Sequence, residues 1–240
     1  GSMGRGICVD GQGSAFVTGD TYSDDFPVKN PVQAARAGYE DAFATKLNPQ
    51  GNRLVFSTYY GGSTREIGYG IAVAGNGTVY LTGYTDSSNL PTVKPLQPGP
   101  GGLNDVYVAK LNAAGSALLY STYLGGSSYD YGSDLALDKD GNAYVVGRTY
   151  SSNFPVKQAF QKSLRGAYSG FVSKLNAGGS ALLYSTYLGG SIETQGNDIA
   201  VGADRTAYVT GQTYALDFPL KNPIQPQKKG ALEAFVAKIK

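Results

Sequence analysis

Ser121-Thr122-Tyr123-Leu124-Gly125-Gly126-Ser127 decides the fold, because the segment stands also at Ser57-Thr58-Tyr59-Tyr60-Gly61-Gly62 and at Ser185-Thr186-Tyr187-Leu188-Gly189-Gly190. Both steps are 64 residues (121 − 57 and 185 − 121). Working outward, Lys46, Lys110, Lys174 and Lys238 keep that step, as do Pro27, Pro91, Pro155 and Pro219, and Gly19, Gly83, Gly147 and Gly211. A fixed period without insertions marks a repeat architecture. The units fall at residues 4–67, 68–131, 132–195 and 196–240, one domain over 4–240, with Gly1-Ser2-Met3 in front reading as an expression scar.

Within the third unit four short segments alternate or run apolar in strand fashion: Asp134 to Asp138, Ala143 to Thr149, Gly170 to Leu175 and Ala181 to Leu188. We label such strands a, b, c and d. Asp138-Lys139-Asp140-Gly141-Asn142 turns a into b, and Asn176-Ala177-Gly178-Gly179 turns c into d, with residues that tolerate a left-handed backbone. The b to c connection, Tyr150 to Ser169, is long and carries Phe154-Pro155; loops of that length tend to be functional. One small sheet cannot cover its own apolar faces, so each unit must stack on its neighbours. The expected fold is all-β: a β-propeller of four 64-residue four-stranded blades.

The last unit stops after strand c, so the fourth blade is expected to lack its outermost strand, leaving an open edge at Ala234 to Lys240. A closed four-bladed ring is the expected arrangement, beside half of a dimeric eight-bladed ring and a fragment of a longer propeller.

Composition agrees with strands and turns: 34 Gly and 19 Tyr among 240 residues, with no Trp and no His. Twenty basic and 18 acidic residues give a net charge of +2 without a run of one sign, which argues against nucleic acid. No apolar run approaches the roughly 20 residues of a membrane span. Cys8 is the one cysteine and forms no internal disulfide.

The tract Gly132-Ser133-Asp134-Leu135-Ala136-Leu137-Asp138-Lys139-Asp140-Gly141-Asn142-Ala143-Tyr144-Val145-Val146-Gly147, with Ser121-Thr122-Tyr123-Leu124-Gly125-Gly126-Ser127 before it, resembles the SBBP β-propeller repeat of bacterial secreted and surface proteins. Its strand logic is also similar to the NHL repeat. The resemblance covers essentially the whole chain and implies a propeller in an extracellular or cell-surface setting. It implies no particular chemistry.

The b to c and d to a loops of a propeller share one end of the axis, and there the copies differ. Tyr22, Asp86, Tyr150 and Tyr214 occupy one position; Arg65, Glu66, Tyr129, Asp130, Tyr131 and Glu193 come from the d to a loops. Tyrosines among carboxylates suit a protein or glycan surface. The Phe-Pro pairs and Gln33, Gln97, Gln161 and Gln225 are expected to anchor the loops instead. The lysine quartet is a weaker candidate, as an anion-binding ring. Asp134 and Asp198 begin strand a near the axis, where carboxylates can hold a structural cation such as calcium; no other cofactor is expected.

Without histidine there is no imidazole base or Ser-His-Asp triad. The expected function is a non-catalytic extracellular module that binds protein or glycan at the loop face. The alternative is a structural envelope or matrix module that self-associates through the open edge of its last blade. A carboxylate-based polysaccharide hydrolase comes third and requires two acids at catalytic spacing in a cleft.

Overall fold

A computed structural model describes all 240 residues, and every regular element in it is a β-strand. The first sheet is β1 (Ser2–Val9), β2 (Ala15–Thr21), β3 (Asp41–Leu47) and β4 (Leu54–Tyr60). The second is β5 (Glu66–Val73), β6 (Val79–Thr85), β7 (Asp105–Leu111) and β8 (Leu118–Leu124), and the third is β9 (Asp130–Leu137), β10 (Ala143–Thr149), β11 (Ser169–Leu175) and β12 (Leu182–Leu188). The fourth holds three strands, β13 (Thr194–Val201), β14 (Ala207–Thr213) and β15 (Glu233–Ile239). Every sheet is an antiparallel meander in chain order, so the chain is an all-β propeller of four blades, the last one incomplete. No helix is long and apolar enough to cross a membrane.

The innermost strand of each blade carries a bulge, placed between Gly4 and Gly6, Gly68 and Gly70, Gly132 and Asp134, and Gly196 and Asp198. The extra residues are Arg5, Tyr69, Ser133 and Asn197, and a bulge re-aims the side chain it carries. Across from it, a Cβ on Gly83 would collide with the Ile67 carbonyl and one on Gly147 with the Tyr131 carbonyl, which explains the glycine quartet. The same bulge corrects the expected start of strand a: β9 begins at Asp130, four residues before Asp134. Gly1 to Met3 likewise pair along β2, with Met3 opposite Asp20.

Adjacent blades bury one another. Ala44 and Phe56 of the first blade share a cluster with Ile71 and Leu81 of the second. Val108 and Tyr120 meet Leu135 and Val145 in the next seam, and Val172 and Tyr144 meet Ile199 and Val209 in the third. Each inner strand packs on the inner strands next to it in sequence, β1 on β5, β5 on β9 and β9 on β13. No comparable packing joins the first sheet to the fourth, so the expected closed four-bladed ring is not formed within the chain.

The b to c loops are fastened to their own blades. Phe26 lies on Phe43, Phe154 on Phe171 and Phe218 on Phe235, with ring centroids 4.7, 4.6 and 4.6 Å apart. Lys29, Val93 and Lys157 then bridge to Ser57, Ser121 and Ser185, so the loop folds back over the outer edge of its sheet. Such cover protects an edge from stray pairing.

Candidate functional site

The loop face gathers several of the expected residues and removes others. Tyr22, Asp86, Tyr129 and Tyr214 are exposed at the ends of the b strands and in the d to a turns, as is Arg65, while Tyr150 and Glu193 are half-buried. Glu66, Asp130 and Tyr131, expected in loops, instead open β5 and β9. Glu66 and Asp130 are fully buried. Glu66 accepts the Gly62 N–H at 2.8 Å and the Thr85 hydroxyl; Asp130 accepts the Gly126 N–H at 2.7 Å and the Ser151 hydroxyl at 2.9 Å. Burial pushes Glu66 up to about 7 and raises Asp130. These two carboxyls fasten turns from within and are out of reach of a ligand.

Tyr131 joins something larger. Tyr69 neighbours Tyr84 (6.2 Å between centroids), and Tyr84 meets Tyr131 edge to face at 5.0 Å. Tyr131 lies parallel to Tyr129 at 6.3 Å, Tyr150 presents its edge to both, and Tyr168 packs on Tyr150 at 4.8 Å. Arg5 sits over Tyr69 at 5.1 Å and Arg148 over Tyr131 at 4.7 Å. The result is a continuous belt of aromatic rings and guanidinium groups across the second and third blades. Edge-to-face and cation–π contacts of this kind hold rings in fixed orientations.

Acids cluster at one end of the belt. Arg5 pairs with Asp20, and Arg65 pairs with Glu40 at 3.3 Å. Burial, and then the neighbouring Asp20, raise Glu40 above the usual carboxylate range. Burial also raises Tyr84, Tyr131 and Tyr168, which keeps their hydroxyls as neutral donors.

Arg5, Asp20, Glu40, Tyr69, Tyr84, Arg148 and Tyr168 were not legible as site residues from loop position. The signal for them lies in the repeat register. The bulge position reads Arg5, Tyr69, Ser133, Asn197; the position near the end of strand b reads Asp20, Tyr84, Arg148, Gln212; the position before strand c reads Glu40, Asn104, Tyr168, Leu232. Positions that hold the fold repeat their residue type, whereas these do not.

The other candidates are absorbed by structure. Gln33, Gln97 and Gln161 accept the N–H of Gly61, Gly125 and Gly189 at 3.0, 3.1 and 3.1 Å. Lys46, Lys110, Lys174 and Lys238 lie over the rings of Phe16, Tyr80, Tyr144 and Tyr208, and two of them pair with Asp10 and Asp138, at 3.3 and 3.0 Å. Their charges are spread around the sheets and make no anion-binding ring. Asp138 also accepts the N–H groups of Asp140 and Asn142, each at 3.0 Å, as the carboxylate of a turn.

Asp134 and Asp198 do approach one another at the hub. Asp134 accepts the Ile199 N–H at 3.3 Å, and burial together with Asp198 pushes it up to about 7. No group of three His, Cys, Asp or Glu side chains is placed to hold a metal ion anywhere in the chain. Two carboxyls stand at the hub, with glycine at the matching positions 6 and 70, and burial and the neighbouring Asp198 favour the protonated form of Asp134. A calcium ion takes six to eight oxygen ligands, far more than this pair supplies.

One family model agrees with the fold. The model of the beta-propeller repeat SBBP matches residues 55–91 and 119–155. No curated protein matches the chain. Among solved structures it is similar to a luciferin-regenerating enzyme, with a TM-score of 0.41 and 14% identity over 87% of this chain and 52% of that one. The chain thus spans about half the length of that structure.

Proposed function

We propose that this chain, a carrier of SBBP propeller repeats, is a non-catalytic module of the bacterial exterior that binds a glycan along its tyrosine–arginine belt. The setting follows from the repeat type, whose resemblance implies secreted and surface proteins. The observation that carries the binding reading is the contrast in register: residues that hold the blades together repeat at 64-residue steps, while the belt residues change from copy to copy.

The belt's chemistry fits an uncharged polymer. Its guanidinium groups are matched by Asp20, Glu40, Asp86 and Glu193, so no field of one sign is available to select a polyanion. Tyrosine rings fixed against one another offer flat apolar area at little entropic cost, with hydroxyls to meet a sugar's own. Catalysis is disfavoured by the same geometry. Retaining and inverting glycosidases separate their two carboxyl groups by about 5 Å or more to admit the reacting atoms. Here Asp20 and Glu40 are each engaged by a guanidinium group, Arg5 and Arg65.

Affinity electrophoresis in gels containing neutral polysaccharides, with a glycan array beside it, tests the reading. Tyr129→Ala and Tyr150→Ala remove exposed or half-buried rings and leave the seams intact; each is expected to weaken retention about tenfold, in line with about 1–3 kcal/mol per ring. Equal retention of both variants and the parent, or a parent retained by no glycan, defeats the proposal.

A further inference from the structure

The three internal seams show what each face of a blade is built to meet, and two faces in this chain meet nothing. Ile7 of β1 stands in register with Ile71, Leu135 and Ile199, which are 6, 3 and 5% exposed inside seams; Ile7 is 69% exposed. Val236 of β15 stands in register with Ala44, Val108 and Val172, each 0% exposed, and is itself 78% exposed. Tyr208 shows 40% of its surface where Phe16, Tyr80 and Tyr144 show none. Within every seam these two registers share a cluster: Ala44 with Ile71, Val108 with Leu135, Val172 with Ile199. The leading face of the first blade and the trailing face of the last are the two halves of a fourth seam.

Polar groups match along with the apolar ones. Tyr80 donates to the Gly141 carbonyl at 3.0 Å and Tyr144 to the Arg205 carbonyl at 3.1 Å, each 61 residues ahead; carrying Tyr208 forward by the same step and back by four repeats reaches the Gly13 carbonyl. Asp134 accepts the Ile199 N–H, and the same step takes Asp198 to the Ile7 N–H. Close approach is also provided for. A Cβ on Gly68 would stand 2.5 Å from the Thr18 hydroxyl and one on Gly132 2.7 Å from the Thr82 hydroxyl, so glycine is required where the inner strand crosses its neighbour. Gly4 holds that register, yet a Cβ there meets only Val17 of its own sheet at 3.7 Å.

We propose that a second copy of this chain covers both faces. The trailing face of each protomer docks on the leading face of the other, and the two equal contacts close on a two-fold axis as an eight-bladed ring. The occupant is a second copy because the groups that the first three strands of a blade bring to an internal seam stand, in the same register, on the two open faces of this chain; only the fourth-strand contribution, made by Phe56, Tyr120 and Leu188 in the internal seams, has no counterpart on the last blade. The contact is face to face, through Ile7, Tyr208 and Val236; it differs from strand pairing along the open edge of β15.

Light scattering after size exclusion, at micromolar to millimolar concentration, reads the result. The parent chain is expected at about 50 kDa, twice 25.1 kDa, with no growth at higher concentration. Gly4→Val, Ile7→Lys and Val236→Lys alter positions open in the single chain, so each is expected to fold, as circular dichroism and melting will report, and to run at 25.1 kDa. A parent chain of 25.1 kDa at every concentration overturns the proposal and leaves the faces to further repeats or another protein. Mass that climbs with concentration overturns it in favour of an open array, and dimers that survive all three variants assign association to another surface.

Discussion

Asp134 accepts the Ile199 N–H across the third seam at 3.3 Å while lying against Asp198, and it is the most perturbed contact at the hub. Burial, then Asp198, lifts its pKa from 3.8 to about 7. The folded chain therefore keeps a proton that the unfolded chain releases above 3.8. The associated stability is complete below that value and is lost as pH rises through 7. Glu66, at about 7, and Asp105, at about 6, act in the same direction. Calorimetry should find a higher melting temperature at pH 5 than at pH 8. Asp134→Asn should flatten that slope and stabilise the protein at pH 8 by about 1–2 kcal/mol. A melting temperature indifferent to pH in the parent chain would contradict the assignment.

Two turn glycines separate backbone strain from seam packing. Gly51 and Gly115 occupy the same turn of successive blades with φ of 69° and 71°. A Cβ on Gly51 meets nothing, whereas one on Gly115 lands on the Phe56 ring of the preceding blade. Gly51→Ala is expected to cost about 1 kcal/mol through conformation alone. Gly115→Ala carries the same cost plus about 1–3 kcal/mol of overpacking. Urea melts of the two variants give the difference directly; equal costs would show that the c to d turn does not bear on its neighbour.

Tyr187 fixes the third b to c loop from both sides of its hydroxyl, donating to the Ser151 carbonyl at 2.7 Å and accepting the Phe154 N–H at 3.0 Å. Tyr59 and Tyr123 make the same pair of contacts in the first two blades. Tyr187→Phe leaves a buried N–H and carbonyl without that partner, and should cost about 1–3 kcal/mol. Hydrogen exchange should rise at Phe154 and around it while β10 and β11 keep their protection. Uniform acceleration across the blade would show that the hydroxyl serves global stability and not the loop.

The sequence announces strands where the period of two is unbroken and glycines bound it, as at Ala143–Thr149, which β10 matches residue for residue. It misplaces the start of β9 because the bulge at Ser133 interrupts alternation and Gly132 reads as a turn. The belt was half visible. Tyr129 and Tyr150 stand out in loops, but Tyr69, Tyr84 and Arg148 lie inside strands, and what brings them together is the stacking of one blade on the next. Ring closure was not legible either, since the number of repeats does not set the angle between them.

Arg205 replaces, in the fourth a to b turn, the glycine found at Gly13, Gly77 and Gly141, and it keeps their left-handed backbone with φ of 65°. A side chain there costs about 1–2 kcal/mol. What it returns is an ion pair with Asp140 in which both side chains are about half exposed, a contact of small value in water. The contact that matters, the Tyr144 hydroxyl donating to the residue 205 carbonyl at 3.1 Å, needs no side chain. Glycine gives back part of the strain through its greater freedom when unfolded, about 0.5–1 kcal/mol. Arg205→Gly is thus expected to stabilise the chain by about 0.5–1 kcal/mol at moderate salt. Chemical denaturation at low and high ionic strength checks the sign. A loss of stability that vanishes in high salt would show that the Asp140 pair outweighs the backbone.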